Sequence, residues 1–232
     1  MGKIQFEEND DLLDIRKDNV FKAVFSKENP TARAALSYLV SALIGRNVSI
    51  ISILANEPPV DSLRDRQIRF DINCKAEDGE LINVEMCLNP EPYEPTRLEY
   101  YAGKLFTGQD IRGKNKTFND HKQAYQIAIL ANGRFFSDDS FFHTFIFYDP
   151  KNLVSLNGRS RIITLELSKA TSLLEKALEE MNVSERWAVF FQHLTDKNKR
   201  SKINKILENE EGIAMASEVL LTISRDEEER AR

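Results

Sequence analysis

The 232 residues carry 32 Lys or Arg against 37 Asp or Glu, a formal net charge of −5, with 41% hydrophobic and 30% charged residues. That balance is globular, with no apolar run near the roughly 18–20 residues of a bilayer span and no apolar core for a signal peptide at the acidic N-terminus. Two cysteines, Cys74 and Cys87, are too few for a disulfide scaffold or a cysteine zinc site, so a cytoplasmic protein without a membrane partner is the expectation.

In chain order, residues 1–16 read as a mobile or loosely docked arm. Asp18 is expected to cap a short helix through about Ser26, with Val20, Phe21, Val24 and Phe25 at helical spacing. Asn29-Pro30 starts a longer helix that Gly45 ends, and its stripe of Leu36, Leu39, Val40, Leu43 and Ile44 should pack on a sheet. Val48 to Leu54 reads as a buried strand. Residues 67–88 alternate apolar and polar on either side of Glu77-Asp78-Gly79, the pattern of a β-hairpin. A helix follows from near Pro95 to about Ile111. Strands are expected at Ala124–Ala131, Phe141–Tyr148 and Arg161–Leu167, then helices at about 169–181, 184–194, 199–209 and 212–225. The division is 1–168 for an α/β domain and 169–232 for a helical C-terminal segment, whose helices could also assemble copies of the chain into a homo-oligomer.

The hairpin turn decides which side chains meet. A two-residue Asp78-Gly79 loop would set Asp71 opposite Met86 and put the apolar residues of one strand against the polar face of the other. A three-residue loop with Gly79 in the left-handed position pairs Ala76 with Glu80, Asn73 with Asn83 and Asp71 with Glu85. All the even-numbered apolar residues then share one face, so burial selects this register. Two carboxylates directly across a ladder, about 4.5–5.5 Å apart at Cβ, repel unless a cation joins them. Oxygen ligands of this kind suit Mg²⁺ or Mn²⁺. The pattern alone leaves open whether they hold a metal or face solvent with nothing bound.

Four short segments carry a resemblance: D-x-V-F-K-x-V-F from Asp18 to Phe25, F-D-I-N from Phe70, N-V-E-M from Asn83 to Met86, and R-x-x-Y-Y from Arg97 to Tyr101. In this order and spacing they resemble the PD-(D/E)XK nuclease family transposases, also called recombination-promoting nucleases. The resemblance implies a restriction-endonuclease-like mixed central sheet flanked by helices, and metal-dependent cleavage of DNA phosphodiesters. It implies Asp71 and Glu85 as the catalytic, metal-holding acids, Lys22 and Arg97 as phosphate contacts, and Asp18 in support. The motif's lysine position, two residues after Glu85, holds Cys87, where members commonly carry Gln. A thiol brings no positive charge and is a poor partner for hard Mg²⁺. Arg69, opposite Cys87 in this register, could place a cation nearby, although a guanidinium is no base.

Further along the helix, Tyr101 lies one turn beyond Arg97 and could reach the same cleft, and Gln109 could line the groove. Two basic clusters are candidate DNA surfaces: Arg64, Arg66 and Arg69, and Lys197, Lys199, Arg200, Lys202 and Lys205. The second reads more readily as an ordinary solvated face. His121, His143 and His193 lack zinc spacing and read as structural, as do Trp187, Phe190 and Phe191.

Overall fold

The fold is described from a computed structural model, covering residues 4–57, 68–110 and 115–226. Arg64 and Arg66 of the first basic cluster lie outside these residues.

Helix α1 (Asp18–Phe25) buries Val20, Phe21, Val24 and Phe25. Asp18 does not cap it. Lys17 holds the N-cap position without a side-chain bond, and Asp18 pairs instead with Lys22 one turn on, at 2.7 Å. Helix α2 (Pro30–Ile44) begins and ends as its sequence dictates: the Asn29 side chain accepts from the Ala32 N–H at 2.7 Å, and Gly45 adopts φ 82° past the last turn. Its apolar stripe does not pack chiefly on the sheet. It meets α6 (Glu211–Arg225), at a crossing so close that a Cβ at Gly212 would lie 2.2 Å from Tyr38 Cβ.

Six strands form one mixed sheet in the order β1-β2-β3-β4-β8-β5: β1 (Ile50–Ile53), β2 (Ile72–Ala76), β3 (Leu81–Cys87), β4 (Ala124–Leu130), β5 (Phe142–Phe145) and β8 (Ser160–Glu166). The pairs β3/β4 and β4/β8 are parallel and the others antiparallel. A parallel neighbour needs a crossover, and α3 (Glu94–Thr107) supplies the one between β3 and β4. The expected Phe141–Tyr148 strand is interrupted. Its first half is β5, and its end, β6 (Tyr148–Asp149), turns away to pair with β7 (Val154–Ser155) as a separate exposed ribbon.

The hairpin register is the three-residue one. Asn73 pairs with Asn83 and Cys74 with Ile82, Ala76 N–H donates to the Glu80 carbonyl at 3.0 Å, and Gly79 takes φ 89°. The even-numbered residues Ile72, Cys74, Ile82, Val84 and Met86 join the main core with α1, α2 and the C-terminal helices. The opposite face, polar by its alternation, is buried in its middle. Helix α3 lies across it, with Leu98, Ala128 and Leu130 in one apolar cluster and Phe70, Leu105 and Ala124 in another. Asn83 and Glu85 are 0% and 1% exposed beneath this roof.

The C-terminal segment is helical as α4 (Val183–His193), α5 (Arg200–Asn209) and α6. Asn182 and Glu185 form a reciprocal capping box at the start of α4. Residues 167–175 wind as a 3-10 rather than an α-helix: the segment is rich in Ser and Thr, and the Ser172 hydroxyl donates to the Lys169 carbonyl at 3.2 Å. Trp187 and Phe191 pack against Phe25, and Phe191 also against Phe21, so these helices share the main core with the N-terminal ones. The arm is docked firmly rather than loosely. Phe6, Leu12 and Ile15 are buried, Asn204 holds the Phe6 backbone by two 3.0 Å bonds, and Arg200 lies under the Phe6 ring. Arg200 is thereby removed from the second basic cluster, and Lys202 bonds the Lys176 carbonyl.

Candidate active site

The acids sit where β2 and β3 leave the turn behind and α1 and α3 approach from either side. Asp71 occupies the bend just before β2, and the pairing of Ile72 with Val84 continues to set it across from Glu85. Its Oδ2 accepts from the Met86 N–H at 3.2 Å, and Lys22 Nζ reaches its Oδ1 at 2.9 Å. Lys22 bridges Asp71 to Asp18, which explains why Asp18 serves a pair rather than a cap. Burial raises the Asp71 carboxyl above its ordinary range, with the charge of Asp18 adding to it; Lys22 opposes them without cancelling the shift.

Glu85 is the buried member. Its Oε1 accepts from Asn83 Nδ2 at 2.9 Å, and that amide also donates to Gln126 on β4 at 2.9 Å. Its Oε2 makes no hydrogen bond of good geometry within the chain, although Arg97 Nη2 stands 3.0 Å away. Burial pushes the Glu85 carboxyl up to about 7; Arg97 lowers it, while the charges of Asp71 and Glu94 push in the same direction as burial.

Arg97 stands beside the motif's lysine position. From α3 its Nη2 reaches the Cys87 sulfur at 3.1 Å and Glu85 at 3.0 Å, while its Nε donates to Glu94 at 2.8 Å. Burial alone would lower this guanidinium, but Glu85 and Glu94 outweigh it and raise it. Burial also pushes the Cys87 thiol well up, helped by the nearby carboxylates, which favours the neutral thiol as a hydrogen-bonding group. Glu85, Cys87 and Glu94 bring ligand atoms within 4.8 Å of one another. Their common neighbour is Arg97, so a guanidinium already fills the space among them.

Asp71 and Glu85 suit a hard divalent cation better. They are all-oxygen donors, and the buried Glu85 Oε2 has only the Arg97 ion pair, with no hydrogen bond of good geometry. Charge supports the fit. Asp18, Asp71, Glu85 and Glu94 face Lys22 and Arg97, a surplus of two negative charges when all are ionised.

Two expected members stand outside the group. Arg69 has a side chain 74% exposed and pairs with Glu57 at 3.8 Å, not with Cys87. Gln109, beyond the end of α3, exchanges two bonds of 2.8 and 2.9 Å with the Lys122 backbone and fastens the crossover. Tyr101 does belong: the Arg97 guanidinium lies 5.1 Å over its ring, and Phe70 meets it edge-on. The sequence reading missed Glu94, which is 4% exposed one turn before Arg97, and Gln126. Both carried a signal, Glu94 as the acid opening a Pro-started helix and Gln126 as the polar exception in an apolar strand. The histidines take up packing roles, His121 stacking on Phe106 and His143 facing Asp138. No helix among the described residues is long and apolar enough to cross a membrane.

Searches of curated proteins and of solved structures find no match. The model of the PD-(D/E)XK nuclease family transposases matches residues 15–232, which takes in every site residue described above together with the C-terminal helices. Nucleases of this kind generally use divalent metals. By that match over nearly its whole length, the chain belongs to the PD-(D/E)XK nuclease family transposases.

Proposed function

We propose that this protein is an endonuclease that hydrolyses DNA phosphodiesters with Mg²⁺ or Mn²⁺, in the service of recombination. The observation that carries the reading is the juxtaposition of Asp71 with a buried Glu85, flanked by two cations from separate helices. Asp71 and Glu85 would hold the metal. A divalent ion there supplies positive charge at the scissile phosphate and makes water a stronger acid. Lys22 and Arg97 contribute fixed positive charge on either side, and Arg97, as a planar fork, can offer paired N–H groups to phosphate oxygens. Asn83 orients Glu85 by donating to one oxygen, and the other, ion-paired with Arg97, is the one a cation would share. Exposed Arg69 is a candidate contact for the DNA backbone away from the reacting phosphate.

Plasmid nicking in Mg²⁺ and Mn²⁺ tests the assignment. Asp71→Ala is expected to abolish it, and nicking by Asp71→Ala at the wild-type rate would overturn the role of the acids. Cys87 supports a second reading, a nuclease fold that binds DNA or a protein partner without cutting. In that case wild type is inactive in both metals, and Cys87→Gln gains activity.

A further inference from the structure

Beside the acids, the start of α3 carries a cleft of about 310 Å³ lined by Ile68, Tyr93, Thr96, Arg97, Tyr100 and Tyr101. Three of these six residues are tyrosines, and two of those are exposed, Tyr93 at 60% and Tyr100 at 42%. Tyr93 is the more telling. It occupies the N-cap position of α3 and makes no side-chain cap bond, where Ser, Thr, Asp or Asn would satisfy an orphan N–H. Arg97 joins this cleft to the acids: the same side chain lines it, lies over Tyr101 and contacts Glu85 at 3.0 Å. Lys104 lies over the Tyr100 ring at 5.8 Å and adds positive charge beside it.

We propose that this cleft receives one unpaired base of the DNA substrate, stacked on Tyr93 and Tyr100 next to the phosphate that is cut. The proposal rests on the nuclease reading above and adds a substrate class to it. Aromatic platforms bind any base through its π-face, with neighbouring cations on the backbone, which is the combination of tyrosines, Arg97 and Lys104 seen here. A base inside a duplex is hidden in the stack, so the cleft selects DNA with a bulged, mismatched or single-stranded position, where little unpairing energy is lost. Thr96 offers a hydroxyl that can both donate to and accept from a base edge.

The test uses the full-length protein and three otherwise identical duplexes: fully paired, with a single bulged 2-aminopurine, and with a bulged abasic site. Binding is measured in EDTA and again in Mg²⁺ at low salt. The bulged 2-aminopurine duplex is expected to bind at least about tenfold more tightly than the other two, with its fluorescence quenched. Tyr93→Ala combined with Tyr100→Ala is expected to lose roughly 5- to 150-fold in affinity for it, the range of one stacked base. Tyr93→Phe, which keeps the ring, should retain both affinity and quenching.

Equal binding of the three duplexes by wild type overturns the proposal, as does a double variant that still binds the bulged base at full strength. Plasmid nicking in Mg²⁺ by the same preparation separates this proposal from the nuclease reading. Nicking without base preference removes the cleft's role alone, and base-selective binding without nicking upholds the cleft and sinks the hydrolysis. Failure to bind any duplex or to nick overturns both.

Discussion

Replacing Glu85 with glutamine should stabilise the metal-free protein at pH 8 and leave it close to wild type at pH 5. Glu85 is buried, and its carboxyl is pushed from 4.5 up to about 7, chiefly by burial, with Arg97 opposing. The folded state therefore holds this proton more tightly than the unfolded chain does. Between about pH 4.5 and 7 the native protein binds the extra proton, so stability falls as pH rises through that window and stays low above it. At about 1.36 kcal/mol per unit, the full swing is about 3 kcal/mol, and less than about 1 kcal/mol of it is lost by pH 5. Glutamine keeps the volume and an oxygen for Asn83, removes the titration, and leaves Arg97 its pair with Glu94. For a chain of this length about 3 kcal/mol corresponds to roughly 6–12 °C in Tm at pH 8.

Thermal melts of both proteins in EDTA at pH 5 and pH 8 measure it. A variant less stable than wild type at pH 8, or a gap of the same size at both pH values, would refute the reasoning. Cation binding then supplies the converse. Mn²⁺ should raise the wild-type Tm at pH 8, by about 2.7 kcal/mol of stability at a hundred times its Kd, and should raise that of Glu85→Gln much less. An acid that destabilises the empty fold and is compensated by its ion is what a metal ligand, rather than a structural carboxylate, is expected to be.

Other substitutions probe the frame around the site. Gly79→Ala, at φ 89° and with the Lys122 side chain 3.4 Å from the new Cβ, should lose about 1–2 kcal/mol in urea unfolding; an unchanged midpoint would deny the left-handed turn. Lys169→Met strands the Glu166 carboxylate, which is fully buried and ion-paired to Lys169, and should cost about 3–5 kcal/mol, part of which Glu166→Gln in the same chain should recover. Neither thiol should react with iodoacetamide at pH 8 in the native state, since burial pushes Cys74 up to about 12 and Cys87 well up too; both should react in urea, and fast native labelling of Cys87 would contradict its neutral state.

The hairpin was legible because two independent constraints agreed on one register, the glycine turn and the apolar alternation. Asn29, Pro30 and Gly45 likewise marked their helix by local chemistry alone. What failed to show was whatever depends on a third element. Alternation marks one face of the hairpin as polar but cannot say that α3 will roof it, so the burial of Glu85, 1% exposed, was not legible. The arm, with its Glu and Asp residues around Phe6, Leu12 and Ile15, looked solvated because its partners Asn204 and Ser224 lie some two hundred residues away. Arg69 was placed by extending the hairpin register, but β2 begins only at Ile72, and Gln109 by continuing a helix that ends at Thr107.

Cys87 at the motif's lysine position reads, along the chain, as a missing charge. In space the Arg97 guanidinium stands beside it. A lysine on β3 at this position would have pointed its ammonium into the group where Arg97 Nη2 already stands 3.1 Å from the residue-87 sulfur, and two cations so close repel strongly in a site with little water. A thiol accepts a hydrogen bond from the guanidinium and adds no charge of its own, so Cys87 and Arg97 are compatible in a way that lysine and Arg97 are not. The cation thus arrives from the helix rather than the strand, and α3 becomes roof, charge carrier and, through Tyr93 and Tyr100, wall of the adjoining cleft. The position of that one helix against β3 and β4 therefore controls the burial of Glu85 and the reach of Arg97 together.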